Sequence, residues 1–361
     1  REETITPEEK YSEIDRIKTQ ISDVMGRNII PSKPIYLLSV LQALETVSQT
    51  DLQLTSYAHC YHYLIIAALK KSGAKPKEFD GYINFLTSLA FYIHSENDAK
   101  ELSEEEEKKF LRQYEARYVF SDKKNKLERL RDSRILKNID GGLGFQDNYI
   151  YYFYVAKFIA ENLSYDEKRK SEIINILLSD LHIEENANII VFIAHHSRDP
   201  HLLERIMEAM GEMFSRSKEA SLAQAEVRFL GDLVHSIPKI VLEQRDTDES
   251  RKQKYEREEA LIKQESKLSE DVRHMSPEEL PAQIYRAFKA IEICGQIIRN
   301  RFASLDRDAL TNLVGATYSV GTRFTGFYLG ALESMQMEII EFITSGRFGY
   351  TIIRSEMVWI C

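Results

Sequence analysis

Apolar residues recur at every third or fourth position along most of the chain, and the alternating pattern of a half-buried strand is nearly absent. The chain has eight prolines, and none of them lies between Pro76 and Pro200. Proline inside a helix removes a backbone hydrogen bond and clashes with the preceding turn, so its absence favours continuous helices. The sequence therefore predicts an all-α protein.

The first part of the chain carries clear helix start and stop signals. A T-x-x-E capping box at Thr6 predicts the first helix, and Gly26 ends its apolar stripe. Further helices are predicted over 35–47 and 56–71. The helix over 56–71 is apolar on most sides, which is typical of a buried helix.

The middle of the chain contains the one strand-like pattern. Helices are predicted near 79–94, after a second capping box formed by Ser103 and Glu106, and over 124–134. Ile135-Leu136 and Leu143-Gly144-Phe145 then flank the turn-forming cluster Asp140-Gly141-Gly142, which predicts one small β-hairpin.

Two features near this hairpin resemble ligand-binding elements. The run Gly141–Gly144 is similar to a phosphate loop, but a dinucleotide fingerprint requires a preceding buried strand within a βαβ unit, so we interpret it as part of the hairpin. The helix after the hairpin is rich in aromatic residues between Tyr149 and Phe158. These rings cover all sides of a helix, which favours packing over stacking on bases.

The chain from residue 164 onward reads as successive helices with short breaks, without a fixed repeat. A polar stretch over 246–273 with charges of alternating sign is either an exposed helix or a linker. The predicted helices are 165–182, 185–196, 199–216, 218–246, 277–301, 306–320 and 322–345.

Composition narrows the function classes. The 361 residues include 48 Lys and Arg against 57 Asp and Glu, and the net charge of −9 argues against broad nucleic-acid binding. No apolar run approaches the ~20 residues that span a membrane. Three scattered cysteines, Cys60, Cys294 and Cys361, suit a reducing cytoplasm. The chain starts at Arg1 rather than Met, which indicates a fragment or a processed product, and it contains no G-x-x-x-x-G-K-[ST] phosphate loop.

The residues considered as candidate metal ligands or catalytic groups are histidines. His195 and His196 are adjacent and therefore point to different faces of a helix, so they do not readily bind one metal ion. At the end of a helix they would instead complement the negative end of the helix dipole. His59 and His62 flank Cys60 at a spacing that permits metal ligation, but no second cysteine or carboxylate pair lies close by. We therefore predict no catalytic residue and no metal ligand.

The order of four segments within 27–163 resembles the region that follows the phosphate-binding core in STAND NTPases, especially those of the NACHT type. Residues 28–38 (NIIPSKPIYLL) look like the x-x-Pro-Leu-x-Leu element that opens the family's helical lid, and residues 55–69 look like the buried helix after it. Residues 85–91 (FLTSLAF) with 102–106 (LSEEE) are similar to the opening of a winged helix. Residues 135–156 look like its hairpin and last helix.

The resemblance implies a division into three parts. These are a helical lid segment over 1–74, a winged-helix-like domain over 75–163 and a C-terminal helical sensor or interaction domain over 164–361. In the family the lid proline packs near adenine, a position that Pro34 takes here. A winged-helix histidine of the family can contact the ADP phosphate. This chain has Asp147 there, and a carboxylate would repel the phosphate unless a metal ion or a lysine intervened.

The resemblance also implies cofactors and partners. ADP or ATP with Mg²⁺ would be bound mainly by an NTPase core N-terminal to Arg1, with an effector domain also outside this chain. A protein trigger would bind the C-terminal helices and release ATP-dependent homo-oligomerisation, as the regulatory and sensor part of a prokaryotic signalling NTPase in antiviral defence. Nucleic acid and membranes are not expected partners.

Two other function classes stay open. One is a freestanding α-helical scaffold that binds protein partners without nucleotide. The other is a helical hydrolase, dependent on metal or nucleotide, that uses His195 and His196.

Overall fold

The computed structural model describes residues 57–96, 101–119, 122–139, 142–163, 166–197, 200–221, 223, 227–229 and 270–339. Helices make up most of these residues, and the strands are confined to one small sheet. The predicted all-α class is confirmed. The helices predicted over 6–26 and 35–47 lie outside the described residues, as does most of the polar stretch over 246–273.

The described helices and strands occur in the predicted order. A 3₁₀ turn (Pro76–Glu78) precedes the second helix, and a π-helical turn (Phe158–Asn162) follows the fifth. The elements are α1 (Tyr57–Lys71), α2 (Phe79–Glu96), β1 (Glu101–Leu102), α3 (Glu104–Arg117), α4 (Lys123–Asp132), β2 (Leu136–Ile139), β3 (Gly142–Phe145), α5 (Asn148–Lys157), α6 (Glu167–Ser179), α7 (Glu184–His196), α8 (Pro200–Glu212), α9 (Leu280–Arg301) and α10 (Arg307–Ser334).

The sheet has three antiparallel strands in the order β1–β3–β2. The predicted hairpin is confirmed, with Leu136 opposite Phe145 and Ile139 opposite Gly142. The third strand, β1, was not predicted, because two residues are too short to show an alternating pattern. Gly142 is required at its position, since a Cβ there would collide with the backbone of Leu102.

Helix α5 lies at the centre of the described N-terminal part. All residues from Tyr149 to Ala156 are at most 5% exposed, so their aromatic rings pack against other parts of the protein, as predicted. The helix packs against α2, α7 and α1. Phe153 meets Phe192 of α7 edge to face, with 5.8 Å between ring centroids. Aromatic pairs of this kind add ~0.5–1.5 kcal/mol to the burial of their area.

Described residues group into two compact units. One contains the described residues up to Glu204 and those from Gly295 to Leu310, and the other contains the described residues from Arg205 to Cys294 and from Thr311 onward. The three-part division predicted from the resemblance stays a prediction. In the described part of the chain, no helix is long and apolar enough to cross a membrane.

The second unit is held by contacts with α10. Arg323 donates hydrogen bonds to the backbone oxygens of Met210 (3.1 Å) and Gly211 (2.8 Å), which satisfies carbonyls at the end of α8. Cys294 is fully buried against the sulfur of Met210 at 3.2 Å.

Two predicted helix boundaries in this unit are wrong. Residues 218–221 are not helical, because this segment runs along α10, where the amide of Ala220 donates to the Thr322 carbonyl (2.9 Å). The helices predicted over 306–320 and 322–345 form one helix, α10, as far as Ser334. A glycine in a helix costs only ~1 kcal/mol, so Gly321 does not have to end the helix.

Candidate functional site

Asp147 lies directly before the first residue of α5, in extended backbone with φ −128° and ψ 140°. Its carbonyl oxygen accepts a hydrogen bond from the Ile150 amide at 3.2 Å, but its carboxylate does not cap the first turn of the helix. The residue is only 6% exposed. In this arrangement the carboxylate offers almost no surface to a ligand phosphate, and its predicted position beside ADP stays a prediction.

Pro34, the residue predicted to lie near adenine, falls outside the described residues. The side chains of His59 and Cys60 do too. The remaining histidines of interest, His62, His195 and His196, are described, and they lie at the meeting point of three helices.

We call this meeting point of α1, α5 and α7 the histidine junction, formed by His62, Phe153, Lys157, His195 and His196. Phe153 lies between two of the imidazole rings. Its ring centroid is 6.2 Å from that of His62 and 4.6 Å from that of His196, and the second pair is edge to face at 72°. The sequence does not indicate this arrangement, because His62 and His196 are far apart in the chain.

His196 occupies the last position of α7, as the helix-end interpretation of His195 and His196 predicted. Burial lowers the pKa of His196 to about 3, and the positive charge of Lys157 lowers the pKa further. A hydrogen bond with the backbone of Phe153 works in the opposite direction. The ring is therefore neutral at physiological pH. Its Nε2 atom is buried and has no hydrogen-bond partner in the described structure.

A π-helical turn borders the junction. Lys157, the last residue of α5, forms an ion pair with Glu161 inside this turn at 2.6 Å. Phe158 stacks on Phe91 of α2 with centroids 3.9 Å apart, and the guanidinium of Arg169 lies 5.6 Å above the Phe91 ring. Single π-helical turns inside helices are rare and occur frequently at functional sites.

Arg301, the last residue of α9, closes the end of α7. Its Nη1 donates to the backbone oxygens of Ala194 (3.3 Å) and Ser197 (3.2 Å). A cation at this place complements the negative end of the helix dipole. Sequence reasoning missed Arg301, because more than one hundred residues separate it from α7. The pair of Lys157 and Glu161, by contrast, has the i,i+4 spacing that a sequence can reveal.

The described residues contain no group of three or more His, Cys, Asp or Glu side chains placed to hold a metal ion. The His196 ring is neutral, its Nε2 atom is buried, and its centroid lies 4.6 Å from that of Phe153. The geometry therefore supplies no support for the metal-dependent hydrolase.

Basic residues of α4 and β2 lie beside acidic residues of neighbouring elements. Four of these cations have carboxylate partners on neighbouring elements, and these pairs join the helices to the sheet. The pairs are Lys123 with Glu115 (3.0 Å), Arg129 with Glu78 (3.1 Å), Arg131 with Glu107 (3.8 Å) and Lys137 with Glu101 (3.5 Å).

No family model, no curated protein and no solved structure matches this chain. A function for the chain is therefore inferred from its own residues and contacts, and from the resemblance of its segments to a known family.

Proposed function

We propose that the chain is the regulatory and sensor part of a prokaryotic STAND signalling NTPase of the NACHT-like branch. In this proposal it acts in antiviral defence and controls oligomerisation that depends on ADP and ATP. A protein trigger that binds the C-terminal helices would start the response. The NTPase core and the effector domain would lie N-terminal to Arg1.

The observation that carries the proposal is the arrangement of elements between α2 and α5. Helices α2, α3 and α4 precede the hairpin β2–β3, β1 extends the hairpin to a three-stranded sheet, and α5 follows. A helical unit with a hairpin after its third helix is what a winged-helix domain requires. The segments that resemble the family's winged helix, 85–91, 102–106 and 135–156, fall on these elements in the same order.

The paired charges of this unit support a packing role for it. Arg129 of α4 contacts Glu78, and Arg131 of α4 contacts Glu107. These ion pairs join α4, the helix before the hairpin, to neighbouring elements of the same winged-helix-like segment. A winged helix that holds a neighbouring NTPase core closed, rather than one that binds DNA, is consistent with these pairs. Nucleic acid is not among the proposed partners, because the chain carries a net charge of −9.

ADP or ATP with Mg²⁺ is the proposed cofactor. The missing core would hold the phosphates and the metal ion, and Pro34 would contact the adenine. A switch of this kind requires two packings that differ by a few kcal/mol, with ADP favouring the closed one and the trigger the open one. Asp147 adds no phosphate contact while it remains buried.

The test is to purify the product of the natural gene, including whatever precedes Arg1, and to measure its nucleotide content by chromatography after denaturation. We expect copurified ADP that dissociates slowly, and larger assemblies by light scattering once ATP and a trigger are present. A protein that contains no nucleotide and does not bind added ATP would exclude the switch.

A second candidate is a helical scaffold that binds protein partners without nucleotide. One observation favours it, which is the exposure of large apolar side chains on α9 and α10. Phe288 is 53% exposed and Tyr318 is 72% exposed. Exposed aromatic residues are frequent in protein interfaces. The nucleotide measurement separates the two candidates, because the scaffold should bind neither ADP nor ATP.

A further inference from the structure

We propose that residues 340–361, the segment that directly follows α10 in the chain, dock on an exposed apolar surface of α9 and α10. This surface, here called the α10 stripe, consists of Phe288 on α9 and of Val314, Tyr318, Gly321, Thr325, Tyr328, Leu332 and Met335 on and directly after α10. The inference goes beyond the proposed function and does not depend on it. A protein partner that used the same surface would have to displace the segment.

Helix α10 has the composition of a buried helix but is largely not buried. Between Leu313 and Leu332 its only charged residue is Arg323, whose guanidinium is bound to the end of α8. A helix that is apolar on all sides is normally surrounded by protein. In α10, however, only Leu313 and Val320 are buried. The helix therefore presents an uncharged surface that no described element covers.

The members of the stripe on α10 lie along one side of the helix. From Val314 to Met335 they follow one another at alternating intervals of four and three residues, the spacing that aligns side chains along a helix. None of them is buried. Tyr318 is 72% exposed and Met335 is 53% exposed. The uncharged surface is thus continuous over the length of α10.

Aromatic rings extend the stripe towards α9. The Phe288 ring is 53% exposed and meets Phe324 of α10 edge to face, with 5.0 Å between ring centroids. Phe324 in turn stacks beside Tyr328, with centroids 6.3 Å apart. Because these rings already pack on one another, they lose little side-chain entropy when a ligand covers them. The surface is therefore preformed for an apolar ligand.

The segment 340–361 has the composition that such a surface binds. Its sequence is IEFITSGRFGYTIIRSEMVWIC, in which 12 of 22 residues are apolar, compared with 43% in the whole chain. Its two arginines balance its two glutamates, so the segment is neutral in a chain with a net charge of −9. Covering an uncharged stripe with a neutral apolar segment avoids the cost of burying unpaired charge.

Chain connectivity favours this segment over a separate partner. Tyr318 precedes residue 340 by 22 residues, which is ~33 Å along a helix axis. An extended chain spans ~3.3 Å per residue, so about ten residues of the segment can return to Tyr318. Docking within one chain corresponds to a separate ligand at a concentration on the order of 1 mM. A second copy at micromolar concentration is about a thousandfold more dilute, which makes it the weaker competitor.

The first experiment identifies what contacts Tyr318. The full 361-residue chain is produced with the photoreactive residue p-benzoylphenylalanine in place of Tyr318, irradiated, digested and analysed by mass spectrometry. We expect cross-links to peptides from 340–361 of the same chain. The same probe at Ile176, which is 61% exposed on α6, is the control and should not react with that segment. Cross-links that join two chains, or a Tyr318 probe that reacts with no peptide from 340–361, would overturn the proposal.

The second experiment measures docking through Trp359. This residue is the only tryptophan of the chain, so its fluorescence reports on the segment alone. We expect emission at shorter wavelength, and weaker quenching by acrylamide, than for the same chain in urea. The combined variant Tyr318→Ser and Phe288→Ser should make Trp359 accessible, whereas Ile176→Ser should not. Each ring exposes ~100 Å², and loss of contact with about half of that area lowers the docking constant about tenfold.

Circular dichroism checks that the variants are folded, and the cross-linking result does not depend on them. Three results of the fluorescence experiment would contradict docking of 340–361 on the α10 stripe. They are a Trp359 that is as accessible in the natural sequence as in urea, protection that the combined variant leaves unchanged, and protection that disappears on dilution of the protein.

Discussion

Two tyrosines of the N-terminal part bury their hydroxyl groups in different surroundings. Tyr154 of α5 is 0% exposed, and its hydroxyl has no hydrogen-bond partner in the described structure. The hydroxyl of Tyr114 on α3 accepts a hydrogen bond from the side-chain amide of Asn84 at 3.0 Å. Burial raises the pKa of both phenols, for Tyr114 to about 12, so both are neutral. The difference between them is therefore one of hydrogen bonding.

The same substitution of tyrosine by phenylalanine should therefore affect stability differently at the two positions. Tyr154→Phe removes a hydroxyl that loses its hydration on burial and gains no hydrogen bond. We therefore expect the free energy of unfolding to be unchanged or to rise by about 1 kcal/mol. Tyr114→Phe leaves the Asn84 amide without this acceptor, so we expect a loss of about 1 kcal/mol. Urea unfolding followed by circular dichroism measures both. A clear destabilisation by Tyr154→Phe would mean that its hydroxyl is satisfied in solution.

Two glycines one helical turn apart on α10 allow a second comparison. A Cβ on Gly326 would lie well inside van der Waals contact with the Lys218 carbonyl oxygen, whereas a Cβ on Gly330 would meet nothing within 4 Å. We expect Gly326→Ala to cost ~1–3 kcal/mol by forcing the 217–221 segment away from the helix. Gly330→Ala should stabilise by ~0.5–1 kcal/mol, because alanine is the better helix former. Thermal unfolding of the two variants gives the comparison directly, and equal shifts would contradict the close approach.

At the level of elements, helix α3 begins where its sequence signal predicted. Ser103 and Glu106 form the capping box: the Glu106 amide donates to the Ser103 hydroxyl, and the Ser103 amide donates to the Glu106 carboxylate at 2.8 Å. We expect Ser103→Ala to cost about 1 kcal/mol and Ser103→Gly only a few tenths. Ser95→Ala, at an exposed position of α2, is the control and should change stability by less than about 0.5 kcal/mol. Equal costs for Ala and Gly at position 103 would mean that the cap does not hold the helix.

Local signals of this kind explain why the predicted element order is largely confirmed. Caps, turns and apolar periodicity involve residues within one or two turns of each other, so α3, the β2–β3 hairpin and the buried α5 were all predictable. Elements that depend on distant partners were not. Strand β1 exists because Leu102 pairs with Leu143, which lies 41 residues later in the chain. The segment after Lys218 is non-helical because Ala220 bonds to Thr322.

The candidate site shows the same limit more strongly. The position of His195 and His196 at a helix end could be predicted, because a helix dipole is a local property. Their partners could not, since His62, Phe153 and Arg301 arrive from three separate helices. Burial determines the charge of His196, and burial is a property of the assembled packing rather than of a short sequence window.

On the scale of the whole molecule, the proposed switch predicts an effect of substituting Pro34, which lies outside the described residues. If Pro34 packs on the adenine of ADP, Pro34→Ala in the complete gene product should accelerate ADP release, by about tenfold for a loss of ~1.4 kcal/mol. Pro76→Ala is the matched control, because Pro76 is exposed at the start of a short 3₁₀ turn far along the chain. Release of a fluorescent ADP analogue measures both rates. Equal rates for the two variants and the natural sequence would remove Pro34 from the nucleotide site, while rapid release by Pro34→Ala alone would place this segment at the lid of the switch.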